Sequence, residues 1–398
     1  MEELQNHSLI LRPGRTLADM FEISICGLKH GWREAFARTR KAFREKLDLR
    51  QYERPELQWF HNTLLHHFTF LYTREAYDYK TQKPDIDRIC QDGDEFGGYD
   101  TLTFWHQYPQ LGVDERTQWD FFRDFPGGIK GLNAAVAAAH THGIKVLLPY
   151  KPWDIPDSQS MEDVGRQITG LLADTDADGF FLDTMDQAPS KFRKSADSVK
   201  PEAVFCSEQH PSNLNALSLL TASWDQIDAA GCMPETDLLR FLLPEHTSPQ
   251  ISRWSIGTDK DALINRAIFS GAGLVIWQDI FGTWLPYSPE QKARIRDYKK
   301  IWSEHRSCFQ SPEPIPFYPV KQEHIYCSYF PDEQNREAIF TFYNDNSQEI
   351  TGALTFLENP QFHRCRCLLG NAQFSIENGL VTGRLPAGET VVCLLAAD

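Results

Sequence analysis

Apolar positions fall along this chain in three successive patterns. Residues 9–26 read as strand, turn, strand: Leu9-Ile10-Leu11, a turn at Arg12-Pro13-Gly14, then Phe21 to Ile25. Two strands cannot bury a core alone, so this piece must pack on something larger. Trp32, Phe36, Phe43 and Leu47 follow among Arg and Lys residues, which predicts one apolar stripe on a charged, docking helix. From about residue 60 to 280, short apolar runs alternate with helical segments. The predicted strands are Leu64–Leu71, Thr101–His106, Ile144–Tyr150, Gly179–Asp183, Ala203–Ser207, Trp224–Ala229, Leu239–Leu243 and Gly273–Trp277. Helical periodicity marks Gly131–His142, Glu162–Ala173, Leu263–Ser270 and 290–305. Eight strands with helices between them imply an α/β fold closed as a (β/α)8 TIM barrel, although little room for a helix separates the sixth and seventh. An open doubly wound sheet is the alternative, but no Gly-rich phosphate loop follows the first strand. Beyond Pro312, Pro314, Pro316 and Pro319 the pattern alternates at period two through Ile325–Phe330, Ala338–Asn344, Ile350–Phe356, Cys365–Leu369 and Thr390–Leu395. This predicts a small antiparallel β-sandwich. The expected organisation is an N-terminal β-hairpin and docking helix over 1–55, a barrel over 56–310 and a C-terminal antiparallel β-sandwich over 311–398.

In such a barrel the C-terminal strand ends carry the chemistry, and here those ends are rich in carboxylates and aromatics. Asp183 closes the run Phe180-Phe181-Leu182, apolar on both faces as an interior stave should be. A carboxylate there is partly desolvated, which is costly unless a partner or a task explains it. Capping of the next helix is the alternative. Glu208 ends the following strand, and adjacent strands lie roughly 4.8 Å apart. The two acids therefore suit the ~5–5.5 Å separation of retaining glycosidases, with a salt-bridged Glu208 as the plain alternative. Trp105, Tyr150, Trp153 and Trp277, with Tyr108 and Trp284, offer flat faces for the C–H side of sugar rings, or else pack loops onto the rim. His106, Lys151, Asp154, Asp186, His210 and Asp279 are the polar candidates for sugar hydroxyls, and Asp186 equally suits a helix cap.

Charge and cysteine usage narrow the classes. With 40 Lys+Arg against 55 Asp+Glu, the net charge is −15 and the pI near 5.3, the wrong sign for a nucleic-acid binder. No run approaches the ~20 apolar residues of a membrane-spanning helix. The nine cysteines are scattered, with no CxxC pair, so neither a disulfide framework nor a zinc site is expected. Cys365 and Cys367 read as ordinary strand residues. The N-terminus lacks a basic stretch followed by an apolar core, so a cytoplasmic setting is expected. A metal-dependent amidohydrolase would need His-x-His at the end of the first strand. His66 and His67 come early in that strand, and His140-Thr141-His142 falls at a helix end on the opposite rim. A non-catalytic sugar-binding barrel would keep the aromatics without the acid pair. No metal and no cofactor are expected, the expected partner is a carbohydrate, and self-association would cover the edge of the N-terminal strands.

Three segments carry a family resemblance. FPGGIKGLNAAVAAAHTHGIKVLLPYKPWD (125–154) resembles the helix and third strand of α-amylase-like barrel glycosidases. GFFLDTMD (179–186) is similar to their fourth-strand motif, and FCSEQHP (205–211) to their fifth-strand motif. The resemblance covers about 125–210, with a weaker echo at 272–284. It implies a retaining hydrolase of α-linked sugars, with Asp183 as nucleophile and Glu208 as general acid/base. Phe181 stands where the family has Arg, Pro149 to Asp154 replace its third-strand Asp-x-x-x-Asn-His, and its seventh-strand Asn-His-Asp has no clear counterpart. In the related α-galactosidase-like barrels the acid/base comes from strand six, which would assign Asp225 or Asp228 instead.

Overall fold

The computed structural model describes residues 31–106, 115–227, 236–252, 260–334 and 336–397. The strand pair expected at 9–26 and Tyr108 lie outside these residues, as does Asp228. Eight parallel staves form one sheet: β1 (Leu65–Phe70), β2 (Thr101–Trp105), β3 (Lys145–Tyr150), β4 (Gly179–Leu182), β5 (Val204–Ser207), β6, β7 (Gln250–Ser252) and β8 (Leu274–Ile276). β6 is split at Trp224 into Ala222–Ser223, which pairs with β5, and Asp225–Ile227, which pairs with β7. β8 pairs back onto β1, with Leu65 opposite Leu274. The sheet is therefore a closed barrel, which removes its edges.

Side-chain parity then sorts each stave into two faces. Phe68, Trp105, Phe181, Trp224, Val275 and Trp277 point to the axis and fill the barrel. Phe68 is their hub, with ring centroids 5.1–5.6 Å from those of Trp105, Phe181, Trp224 and Trp277. The alternate positions, such as Val146, Leu148, Phe180 and Phe205, face the helices in a second, larger core. Burial on both faces is why the staves read as continuous apolar runs. At the start of β4 the backbones of β4 and β5 approach so closely that a Cβ on Gly179 would lie 2.0 Å from Val204 O, so only glycine fits.

Helices cover the outside, among them Gly128–Thr141, Met161–Thr175, Lys260–Ser270 and Pro289–Glu304. Two of them start on reciprocal caps: Ser160 with Asp163, and Ser288 with Gln291. The seventh stave corrects the sequence expectation. Leu239–Leu243 was expected as a strand, but Leu239–Leu242 is a helical turn that buries Leu239 and Phe241, and the stave is Gln250–Ser252. A five-residue apolar run fits a buried turn of helix as well as a strand.

The docking helix spans Gly31–Arg44. Phe36 joins the outer barrel core, while Phe43 and Leu47 pack on Tyr52, Leu239 and Leu243. Arg40 reaches under it to donate to Phe241 O at 2.7 Å. The C-terminal strands β9 (Ile325–Pro331), β10 (Glu337–Asn344), β11 (Ile350–Phe356), β12 (Arg364–Leu369), β13 (Gln373–Glu377), β14 (Leu380–Leu385) and β15 (Thr390–Ala396) form two antiparallel sheets, in the orders β9-β10-β15-β12 and β11-β14-β13. Their inner faces enclose a separate core around Phe340, Phe342 and Val381. Phe330, Ile339 and Val392, on the outer face of the first sheet, extend the barrel's core, so the sandwich buttresses the barrel from the side.

Candidate active site

Parity carries inward from the core to the mouth. Phe181 points to the axis, so Asp183 does too; Cys206 points to the axis, so Glu208 does too. Register sets their height: Leu182 is level with Ser207, and Glu208 N–H donates to Leu182 O at 3.0 Å. The two carboxyls meet there, each close enough to act on the other's charge, and each residue is only 6% exposed. Burial, followed by the neighbouring Glu208 carboxyl, pushes the Asp183 pKa up to about 7, against the opposing pull of the Trp153 N–H and the Lys151 ammonium. Two acids in contact cannot both ionise freely, so the pair holds a shared proton near neutrality.

The backbone between them is strained to serve this contact. Thr184 has φ +56, in the left-handed region that a β-branched residue avoids. That twist aims Thr184 N–H at Glu208 Oε2, 2.6 Å away. Gln226 Nε2 donates to Glu208 O at 2.8 Å and fixes the same strand end from the β6 side.

The loop after β3 supplies the other wall. Trp153 Nε1 donates to Asp183 Oδ2 at 3.0 Å while the residue stays 46% exposed, so one edge holds the acid and the ring faces the mouth. Lys151 is fully buried below it, paired with Asp154 at 2.9 Å and enclosed by the rings of Trp105, Phe121 and Trp153. Burial lowers its pKa, opposed by Asp154 and Asp183. Gln118 clamps the loop, accepting from Lys151 N–H at 2.8 Å and donating to Lys151 O at 2.6 Å.

Of the twelve residues singled out from the sequence, Asp183, Glu208 and Trp153 come together, with Lys151 and Asp154 beneath them. His210 is exposed at the rim, bonded to Asp237 at 3.2 Å. Burial works to lower its pKa, but the Asp237 carboxylate overcomes that and raises it. Asp186 is half-buried at the same rim. The structure places the rest away from that contact. Tyr150 and His106 fall on the outward parity: Tyr150 packs on Phe192 and Trp119, His106 on Phe121 and Phe122. Trp105 and Trp277 point inward but are buried in the barrel core, one layer below the mouth. Lys151 and Asp154 pair with each other below the opening, and Asp279 Oδ1 accepts Gly282 N–H at 2.9 Å to close a hairpin turn. Thr184, Gln118, Gln226 and Asp237 were missed, because a backbone twist or a second-layer amide leaves no mark in a one-dimensional pattern.

The rival sites are occupied otherwise. Asp225 points outward, away from Glu208, into an ion pair with Arg266 at 3.2 Å. His66 bonds Thr101 Oγ1 at 2.8 Å, and His67 stacks on Tyr99 with Nε2 3.3 Å from Glu75. His140 and His142 pair with Asp178 and Asp87 on the opposite rim. Among the described residues no three His, Cys, Asp or Glu side chains are grouped to hold a metal ion. Nor is any described helix long and apolar enough to cross a membrane.

No family profile matches the sequence, and no curated protein matches it. Solved structures do match the architecture. A debranching enzyme from Nostoc punctiforme aligns with a TM-score of 0.61 at 13% identity, over 84% of this chain and 98% of that one. A maltogenic α-amylase from Thermotoga neapolitana gives 0.59 at 15% identity, over 84% and 99%. An α-amylase from Geobacillus thermoleovorans, solved with acarbose, gives 0.56 at 13% identity, over 85% and 99%. At these identities the likeness is one of fold: a (β/α)8 barrel carrying a C-terminal β-sandwich.

Proposed function

We propose that this chain is a retaining glycoside hydrolase acting on α-linked sugars, with Asp183 as nucleophile and Glu208 as general acid/base. The observation that carries this reading is the close approach of the two buried carboxyls at the mouth of the closed barrel. Inverting enzymes hold their carboxyls ~6.5–9.5 Å apart to admit a water between them; carboxyls that meet on adjacent strand ends suit retention. Asp183 attacks the anomeric carbon as the glycosidic bond breaks, and the proton on Glu208 passes to the leaving oxygen. Glu208, now ionised, takes a proton from water as that water attacks the same carbon and frees Asp183.

Titration and role differ on where the shared proton rests. Proton affinity is raised at Asp183, whereas the mechanism needs the proton on Glu208. The Trp153 N–H and the Lys151 charge both stabilise the anion at Asp183. A glycosidic oxygen arriving beside Glu208 gives the proton a new acceptor there. The pair then need only pass its proton from one carboxyl to the other. The α preference is supported by the fold, which this chain has in common with amylases and a debranching enzyme. Trp153 offers the ring for a sugar face, with His210 and Asp186 at the rim for hydroxyls.

A panel of chromogenic α- and β-glycosides tests this, with the anomeric configuration of the first product followed by NMR. Hydrolysis of an α-glycoside with retention is expected. Inversion, or cleavage of β-glycosides only, would overturn the assignment.

A further inference from the structure

At the floor of the barrel a guanidinium is buried with no carboxylate paired to it among the described residues. Arg240 lies on the helical turn Leu239–Leu242 and is only 7% exposed. One side of its head group is used: Nη2 donates to Phe309 O and lies 3.4 Å from Gly271 O. Nη1 is buried and has no hydrogen-bond partner among the described residues. The acids whose charges act on it, Asp237 and Glu245, are bound elsewhere, to His210 at 3.2 Å and to Arg44 at 2.6 Å. Arg240 lines a cavity of about 30 Å³ between the starts of β1, β7 and β8, and Ser248 lines it too. Ser248 Oγ is a second buried donor there without a partner among the described residues. Neighbouring polar groups of the lining are engaged. Gln310 Nε2 donates to His61 O at 2.8 Å, and His246 bonds Tyr52 Oη and Ser223 Oγ, each at 2.9 Å. No carboxylate lines the cavity, although the chain carries a net charge of −15.

A guanidinium cannot shed its proton to escape burial, so its charge is costly unless a partner meets it. Its field is felt close by. Burial first, and then Arg240, push the His61 pKa down to about 4, which leaves that imidazole neutral near pH 7. We propose that this cavity binds a small monovalent anion of the halide class, chloride in solution, held by Arg240 Nη1 and Ser248 Oγ. A single-atom anion suits a volume close to that of one water and accepts from both donors; phosphate and sulfate exceed it. A water would accept the same two bonds and leave the charge unmet. The half-buried His61 and Gln310 belong to the lining, so the ion can enter from solvent. Arg240 ties the turn ahead of β7 to Gly271, ahead of β8, and to Phe309 beyond the last barrel helix. The anion would therefore brace the floor where the barrel closes. The site lies at the opposite end from Asp183 and Glu208, so its test is independent of the glycosidase reading.

The full chain is melted at constant ionic strength while sodium chloride replaces sodium gluconate, whose anion is too large for the cavity. The melting temperature should rise with chloride and saturate, and bromide should substitute for it. Ser248→Ala removes one donor and keeps the charge, so it should raise the half-saturating chloride concentration about tenfold. Arg240→Gln should abolish the response. Because Arg240→Gln also loses bonds to the Phe309 and Gly271 backbone, Ser248→Ala decides the matter if that variant misfolds. Crystals grown without halide and soaked in bromide should show an anomalous difference peak beside Arg240 Nη1. A melting temperature indifferent to the exchange of gluconate for chloride, a chloride response unaltered in Ser248→Ala, or water alone at that position in bromide would each overturn the proposal.

Discussion

Asp178 and Asp183 flank the same strand, β4, and both are buried, at 1% and 6% exposure. Everything else about them is opposite. Asp178, at the barrel floor, accepts from Lys145 Nζ at 2.8 Å, His140 Nε2 at 2.7 Å and Val146 N–H at 2.9 Å, with Lys200 at 3.7 Å. Burial alone would raise its pKa, and these partners overcome burial and lower it. Asp183, at the mouth, receives one indole N–H and faces a second carboxyl, and its pKa is raised. Burial does not make an acid functional; the difference lies in what the surroundings supply. At the floor three donors and a second lysine surround the carboxylate and hold its charge. At the mouth the charge is left under-compensated, which keeps a proton mobile near neutrality and costs stability.

Replacing each acid by its amide sharpens this contrast. Asp183→Asn should lower turnover on the order of 10⁴-fold, since the proposed nucleophile is lost, while raising the melting temperature. The sign follows from linkage. With a native pKa raised to about 7, Asp183 holds a proton that the unfolded chain has released, so its cost grows as pH climbs from about 4 to about 7. The melting advantage of the variant should grow over that interval and vanish below it. A variant that melts lower at pH 7 would break the comparison. Asp178→Asn should do the reverse. A lowered native pKa contributes stability above about 4 that is lost as pH falls further. The variant should be less stable by about 2–3 kcal/mol at pH 7, allowing for the partial exposure of Lys145. The folded variant should keep the proposed turnover, as measured by initial rates alongside denaturant titration.

The same strand shows what was legible in the sequence. Gly179 to Asp183 announced a buried stave with an acid at its mouth, because burial on both faces writes an unbroken apolar run. That signal also concealed parity. With Val146 to Tyr150 all apolar or aromatic, nothing in the run marks Tyr150 as facing helices and Lys151 as facing the axis; the register of Leu147 with Gly179 does. Polar staves were hardest: Gln250–Ser252 carries no apolar period, and the richer run at Leu239 drew the assignment away. Asp183 and Glu208 were visible because strand-end acids are costly and therefore conspicuous. Thr184 and Gln118 were not, since their roles rest on one backbone angle and on a clamp across 33 residues.

The finest contrast between floor and mouth is the Trp153 donor to Asp183. Trp153→Phe keeps an aromatic face for a sugar ring but removes the N–H bonded to Asp183 Oδ2. That bond favours the ionised acid, so its loss raises the proton affinity of the pair further. The alkaline limb of kcat/KM reports loss of the shared proton, and it should move upward by up to about one pH unit. KM should stay within about threefold if stacking alone holds the sugar there. Trp153→Ala removes ring and donor together, so it should shift the limb equally and raise KM as well. A limb that stays put in both variants, with KM raised in each, would make Trp153 a wall of the mouth with no hold on the proton. The under-compensation at Asp183 would then rest on Glu208 and burial alone.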